Sequence, residues 1–361
     1  MPAMPSSLVR DVKYPAIDGI RFYAAFAVFL QHVITGAIVG YFRIPADQFG
    51  YHSGPLWQRI AFYFTDGNHG VDVFFIISGF LMARIVLSGK ARFDYPKFIG
   101  NRVRRIYPAF LVSLVIATLV ECLLFGWAWK PVDFAKNLIF LNGIPGYPVF
   151  AYNHVSWSLG FEFAFYLMIP ALLLLTRLVD QRIAAGLALA GAGLLIPDTF
   201  IRMKALFVGA LIGAFSDQQL RSLARRVPLA VVLTLYLGCG VLKAVWFATY
   251  LDYYYWFLAV AALAFVKITM DQDNPLSKFF SGGPMRRLGT MSYSFYLYHS
   301  LIATAVLVYL TPQPPSLAAA LWYGAFTFVL TLLVSWLSYQ LVESRYFRLE
   351  RYGFRPAKVA V

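Results

Sequence analysis

Long apolar segments separated by short polar stretches dominate the chain. A run of about 20 apolar residues is long enough to cross the hydrocarbon core of a bilayer as a helix. Ten such runs occur, and the stretches between them carry most of the charged side chains. The pattern therefore predicts an all-α polytopic membrane protein. Its ten transmembrane helices are predicted at about 18–39, 70–88, 106–126, 156–176, 183–197, 204–216, 228–248, 253–270, 288–310 and 317–342.

The fifth and sixth runs, 183–197 and 204–216, are shorter than the others and rich in glycine. They fit either two tilted spans or one re-entrant hairpin, and both arrangements leave the two chain ends on the same side. We predict a single membrane-embedded domain over residues 1–361. It includes a short N-terminal segment, 1–16, and a C-terminal tail, 343–361.

The composition supports a membrane protein. Hydrophobic residues make up 60% of the chain and charged residues 13%, whereas soluble domains are roughly half apolar and a quarter charged. Both cysteines, Cys122 and Cys239, fall inside apolar runs. They are typical of small buried side chains rather than of a disulfide or a metal site. We predict no metal and no permanently bound cofactor.

The net charge is +14, and the distribution of the basic residues along the chain agrees with the predicted topology. Of the 31 Lys and Arg residues, 21 fall in segments predicted to be cytoplasmic, six in outside loops and four within spans. Cytoplasmic loops of membrane proteins carry such an excess of positive charge. Both ends are therefore predicted to be cytoplasmic and the protein to lie in the inner (plasma) membrane. No nucleic-acid partner is needed to explain the charge, and the oligomeric state is left open.

Ionisable side chains inside spans are costly and indicate function. Arg21 is predicted near the cytoplasmic face, and His32 about 16 Å further along the same helix. Glu162, on a span that runs inward, reaches the depth of His32. A carboxylate can orient a neutral imidazole as a general base for a hydroxyl. His32 and Glu162 are therefore predicted to form a buried catalytic pair.

Basic residues surround the cytoplasmic end of this predicted path. The stretch NRVRRIYP, residues 101–108, precedes the third span. Arginines suit an anionic donor that carries phosphates, although the same cluster also serves as a topology signal. The predicted donor-binding residues are Arg21, Arg102, Arg104, Arg105 and Tyr107, and Asp18 and Glu343 are predicted to form a charge network beside them.

Polar residues on other spans are predicted to line the path or the acceptor site. Tyr293, Tyr296 and His299 recur at steps of three and thus share roughly one helix face. Each member of the set has a structural alternative, such as helix packing, a helix cap or a buried histidine bonded to backbone. The remaining predicted lining residues are Asp72, Ser78, Trp157, Ser158 and Tyr166.

Five ordered blocks resemble one known family. They read IDGIRFYAAFAVFLQH, VDVFFIISGF, NRVRRIYP, WSLGFEFAFY and LGTMSYSFYLYHS. Together they are similar to the acyltransferase type-three family, membrane proteins that O-acylate extracytoplasmic glycans and other acceptors. The resemblance implies an acyl-CoA co-substrate, usually acetyl-CoA, on the cytoplasmic side. It also implies that Arg21 engages the donor, that His32 is catalytic, and that Glu162 and His299 belong to the site.

The chain departs from this family in two places. Many members have Glu-Arg-Pro at the end of the last span, where this sequence has Glu343, Ser344 and Arg345. Many members also add a C-terminal esterase-like domain. Fewer than twenty residues follow the last predicted span, so we expect a stand-alone membrane domain.

The expected reaction moves an acetyl or other short acyl group to a hydroxyl of a cell-surface polysaccharide or lipid-linked sugar. His32 would deprotonate that hydroxyl directly or carry the acyl group as a covalent relay. Two alternatives stay open. An acyl-group translocator would load a separate transferase, and a secondary transporter would also bury ionisable residues at mid-membrane.

Overall fold

The computed structural model of this chain describes residues 14–44, 55–56, 59–60, 67–87, 94–177, 182–245 and 250–345. All regular elements in this part of the chain are helical, so the predicted all-α class is confirmed. The predicted segments 1–16 and 343–361 lie almost wholly outside it. The α-helices are α1 Ala16–Thr35, α2 His69–Val86, α3 Tyr95–Leu123, α4 Pro131–Leu138, α5 Trp157–Arg177, α6 Arg182–Leu195, α7 Met203–Ala214, α8 Asp217–Arg226, α9 Leu229–Val245, α10 Tyr250–Met270, α11 Pro275–Ser281, α12 Gly283–Thr290, α13 Ser292–Tyr309 and α14 Leu317–Ser338.

Several of these helices are long and apolar enough to cross a membrane. Two pairs, α8 with α9 and α12 with α13, meet the same test together, although the first is bent by 79° and the second by 66°. Within the described ranges this makes five to seven candidate spans, which identifies a multi-pass membrane protein. The count of ten and the cytoplasmic location of both ends stay predictions. The five unbroken candidates are Ala16–Tyr41, His69–Val86, Tyr95–Leu123, Tyr253–Met270 and Leu317–Glu343.

Helix α3 begins well before the predicted start at residue 106. Its first turn is fixed by Asp94, whose carboxylate accepts a hydrogen bond from the Lys97 backbone N–H at 3.0 Å. Pro96 in that turn favours helix initiation, because the ring sets φ and no intrahelical partner is lost there. Arg102 and Arg105 therefore lie on helical surface one turn apart, and not in a loop.

The two short apolar runs form two short helices, α6 and α7. At 1.5 Å per residue these 14- and 12-residue helices are about 21 and 18 Å long, shorter than the ~30 Å hydrocarbon core. Helix α7 packs closely on α2 because each helix places a glycine against the backbone of the other. A Cβ at Gly79 would collide with the Leu206 carbonyl oxygen, and one at Gly209 with that of Ile76.

Helix α1 packs against α2, α11, α12 and α13, so its polar residues lie inside the bundle. The approach of α12 is so close that a Cβ at Gly289 would collide with the Asp18 carbonyl oxygen. Immediately after this contact the chain bends at Met291 between α12 and α13. The packing brings the first turn of α1 next to that bend, and the last turns of α1 next to the middle of α13.

Candidate active site

A cavity of about 220 Å³ lies between α1, α2, α3, α5 and α13. Arg21, Arg102 and Arg105 line one end, which we call the arginine mouth. The walls then become mainly apolar. The side chains that the cavity shares with the sequence prediction are Arg21, Ser78, Arg102, Arg105, Ser158, Glu162, Tyr166, Tyr293, Tyr296 and Glu343.

Two carboxylates accompany the arginines at this mouth. Asp18 Oδ1 lies 3.5 Å from Arg21 Nη1, one helical turn away. Glu343 lines the cavity near Arg105 and accepts a hydrogen bond from the Ser294 hydroxyl. The predicted neighbours Asp18 and Glu343 thus pair with different groups, Asp18 with Arg21 and Glu343 with Ser294.

Two predicted donor-binding residues lie elsewhere. Arg104 is exposed and points away from the cavity, because it is offset by about 100° or more from Arg102 and Arg105 around α3. Tyr107 also lies outside the cavity wall. Its hydroxyl donates to the Leu138 carbonyl oxygen at 3.0 Å and so joins α3 to α4. The structure therefore does not bring Arg104 and Tyr107 to the cavity with the other three predicted donor-binding residues.

Glu162 lies in the middle of the cavity wall and does not pair with His32. Its Oε1 accepts hydrogen bonds from the Ser78 hydroxyl of α2 and from the Tyr166 hydroxyl one turn along α5. Oε2 is in no hydrogen bond with the described residues. The predicted His32–Glu162 pair is therefore wrong: the two residues were matched by depth, but Glu162 faces α2.

The partner of His32 is His299. His32 Nδ1 lies 3.2 Å from His299 Nε2, and the two rings are 4.9 Å apart at 72°. His32 Nδ1 also lies 2.9 Å from the Val28 carbonyl oxygen, and His299 Nδ1 lies 2.7 Å from that of Tyr296. We call this pair the histidine end of the site.

The tautomers of both histidines follow from these contacts. A carbonyl oxygen only accepts, so both Nδ1 atoms must carry hydrogen. The one hydrogen on His32 Nδ1 is then shared between two acceptors, the Val28 carbonyl oxygen and Nε2 of neutral His299. His32 Nε2 is left with its lone pair and no hydrogen-bond partner among the described residues. This is the arrangement that a general base or nucleophile requires.

Tyr296 and Ser158 close the cavity below the histidine end. The Tyr296 hydroxyl lies 2.9 Å from Ser158 Oγ and donates to the Val155 carbonyl oxygen at 3.0 Å. The centre of the Tyr296 ring lies 5.7 Å from that of the His299 ring, which does not line the cavity. The cavity therefore ends one side chain short of the histidine pair.

Two of the predicted lining residues belong instead to a packing cluster. Asp72 is fully buried and accepts from the Tyr254 hydroxyl at 2.9 Å, and Arg202 Nη1 lies 3.5 Å from its other oxygen. The Arg202 guanidinium group lies 5.5 Å from the centre of the Trp157 ring. Asp72 and Trp157 thus join α2, α5 and α10 and do not line the cavity, because they project from the opposite sides of their helices. Tyr293 does line it, and its hydroxyl donates to the Ile106 carbonyl oxygen at 3.1 Å.

The sequence analysis missed one ionisable pair near the histidine end. His154 Nε2 lies 3.2 Å from Glu121 Oε1. Glu121 lies within the third predicted span, so the cost of burying a carboxylate there was a signal available in the sequence. His154 lies just before the fourth predicted span and gave no comparable signal.

The geometry defines a class: a multi-pass membrane protein with a cavity that is lined by clustered arginines and lies next to an oriented imidazole. Residues 14–340 match the model of a family described as an acyltransferase domain, and the chain belongs to that family.

Several curated proteins that are similar to this chain are named as acyltransferases or O-acetyltransferases. The chain is 26% identical to the peptidoglycan O-acetyltransferase OatA of Listeria monocytogenes over 91% of its length. It is 24% identical to the O-acetyltransferase OatA of Staphylococcus aureus over 95%, and 32% identical to the acyltransferase MdmB of Streptomyces mycarofaciens over 50%. The matches cover 55%, 59% and 46% of those proteins, so the chain spans about half the length of the curated relatives it matches. No solved structure matches the chain.

Proposed function

We propose that this chain is a membrane O-acyltransferase that moves an acetyl or other short acyl group from cytoplasmic acyl-CoA to a hydroxyl of a cell-envelope glycan. The observation that carries the proposal is a cavity lined by three arginines, whose wall residue Tyr296 packs against His299 of the oriented histidine pair. The names of the two O-acetyltransferase relatives support the reaction, and one of them supports peptidoglycan as the first acceptor to test.

The arginine mouth is the proposed donor site. Guanidinium groups bind phosphate oxygens in a bidentate manner, so Arg21, Arg102 and Arg105 suit the phosphates of coenzyme A. The acyl-bearing arm would extend along the apolar wall of the cavity. Glu162 Oε2 is placed to accept a hydrogen bond from an amide N–H of that arm, while its Oε1 is held by Ser78 and Tyr166.

His32 is the proposed base. Its Nε2 takes the proton of the acceptor hydroxyl as the hydroxyl oxygen attacks the carbonyl carbon of the thioester. A C–O bond forms, the C–S bond breaks, and the thiolate leaves as coenzyme A and takes up a proton. His299 keeps the His32 ring in the required tautomer. In the relay version the acyl group first bonds to His32 Nε2 and then passes to the acceptor.

The two ends of the site must communicate through the Tyr296–Ser158 closure. A rotation of the Tyr296 side chain would break its bonds to Ser158 and Val155 and connect the cavity to His32. Such a rotation would admit the acyl end of a donor while the rest of the arm stays in the cavity. Gating of this kind is common where an enzyme must exclude water until substrate is bound.

The experiment uses purified protein in liposomes with radiolabelled acetyl-CoA and uncross-linked peptidoglycan strands as the probe. Wild-type protein should transfer label to the strands, and His32→Ala should not. Arg104→Ala is the control, because Arg104 is an exposed residue of α3 that does not line the cavity. Equal transfer by His32→Ala and wild type would refute the proposed chemistry. Label that crosses the membrane without attaching to glycan would indicate the translocator instead.

A further inference from the structure

A carboxylate-backed histidine stands at the histidine end, outside the cavity. The side chain of His154 is 60% exposed, whereas that of its partner Glu121 is 6% exposed. A carboxylate accepts hydrogen bonds, so His154 Nε2 carries the hydrogen that points to Glu121 Oε1, 3.2 Å away. In the neutral ring His154 Nδ1 then has a lone pair, and this atom is in no hydrogen bond with the described residues.

The turn that carries His154 is fixed to α13 on both sides of the histidine. Before it, Asn153 Nδ2 donates to the Leu297 carbonyl oxygen at 3.1 Å. After it, the Val155 carbonyl oxygen accepts from the Tyr296 hydroxyl at 3.0 Å. Both contacts fall in the helical turn just before His299, so the turn holds His154 against the stretch of α13 that carries the histidine pair.

His154 also lies within electrostatic range of His32. The site thus contains two imidazoles with an open ring nitrogen: His32, buried and backed by His299, and His154, at the surface and backed by Glu121. A packing role would not need a half-exposed ring with a carboxylate behind it. Burying the Glu121 carboxylate near the end of a membrane helix is costly unless its partner is retained.

We propose that His154, oriented by Glu121, binds the acceptor at the histidine end. Its Nδ1 accepts a hydrogen bond from a glycan hydroxyl close to the hydroxyl that is acylated. Sugars carry several hydroxyl groups a few bonds apart, so His32 and His154 would bind the same residue of the glycan at two points. This inference rests on the proposed function and assigns to it an acceptor-binding residue.

The test separates acceptor binding from donor binding. Initial rates are measured in liposomes against the concentration of uncross-linked peptidoglycan strands at saturating acetyl-CoA, and against acetyl-CoA at saturating strands. His154→Ala should raise the KM for strands roughly three- to tenfold, the usual effect of one lost hydrogen bond, and leave the KM for acetyl-CoA unchanged. His154→Asn should stay within about twofold of wild type, because its side-chain oxygen reaches the site of Nδ1 and still accepts a hydrogen bond.

The control is Lys136→Ala, a change on the same connection between α3 and α5 but in a side chain that pairs with Asp133. It should leave both constants unchanged. An unchanged KM for strands in His154→Ala would overturn this inference and leave the proposed function standing. A lower turnover number with both KM values unchanged would do the same, because it would indicate a structural role for His154. Wild-type protein that never acylates the strands would overturn the peptidoglycan acceptor and the inference with it.

Discussion

The contact between His299 and His32 leads to a prediction that separates a positioning residue from a second base. In the structure His299 Nδ1 bonds to the backbone of its own helix and Nε2 bonds to His32. An asparagine at position 299 places its amide nitrogen near the site of Nδ1 and has nothing at the site of Nε2. A glutamine reaches the site of Nε2 with an oxygen that accepts from His32. His299→Asn therefore deletes the bond to His32, and His299→Gln retains it.

The expected magnitude follows from the number of bonds lost. One hydrogen bond between neutral groups contributes about 0.5–1.5 kcal/mol, which is roughly a two- to tenfold effect on rate at 1.36 kcal/mol per factor of ten. His299→Asn should lower the turnover number by that factor, and His299→Gln by less. Loss of a general base costs roughly 10²- to 10⁴-fold, so His32→Asn should be far more severe.

The assay is acetyl transfer to peptidoglycan strands at saturating donor, with the melting temperature of each detergent-solubilised variant as a folding control. Unchanged melting temperatures would assign the rate effects to chemistry. Equal losses in His299→Asn and His32→Asn would refute the reasoning, because His299 would then act on the proton itself. Wild-type turnover in His299→Asn would show that the contact with His32 has no role in catalysis.

Two further predictions test the arginine mouth and the helix packing. Arg102→Ala should raise the KM for acetyl-CoA about 10- to 100-fold, since a hydrogen bond to a charged group contributes about 1.5–3 kcal/mol. Arg104→Ala should leave this KM unchanged. The same KM in both variants would contradict the proposed donor site. Gly79→Ala should destabilise the protein by about 1–3 kcal/mol through overpacking and lower its melting temperature. Gly100→Ala, where a Cβ meets nothing within 4 Å, should leave it equal or higher, and equal melting in both variants would argue against close packing of α2 on α7.

The sequence allowed the helical class and the depth of polar groups to be predicted, because hydropathy and rise per residue are properties of one segment at a time. Depth alone does not select partners. Glu162 and His299 both lie within predicted spans, but α13 packs against α1 whereas α5 packs against α2, and the rotation of each helix about its axis decides which side chain faces His32. That rotation depends on packing between helices that are far apart in the chain, which one sequence does not report.

Helix α3 shows a different limit. Its early start was encoded locally by Asp94 and Pro96, yet the hydropathy of the following turns is too low for an apolar run. Once the start is known, helical phase places Arg102 and Arg105 on one face and Arg104 on another. The sequence analysis placed the stretch 101–108 before the third span without a helical phase, so all three arginines seemed equivalent. Local capping signals would have corrected this error without a structure.

The Tyr296–Ser158 closure has a consequence for the cell that has nothing to do with substrate. A protein that binds a donor on one face and an acceptor on the other risks becoming a conductive pathway for protons and ions. Moving one elementary charge across a potential of 100 mV is worth about 2.3 kcal/mol, and a leak would dissipate that energy continuously. Because Tyr296 and Ser158 line the cavity and the histidine pair does not, we expect their contact to keep the resting protein electrically insulating.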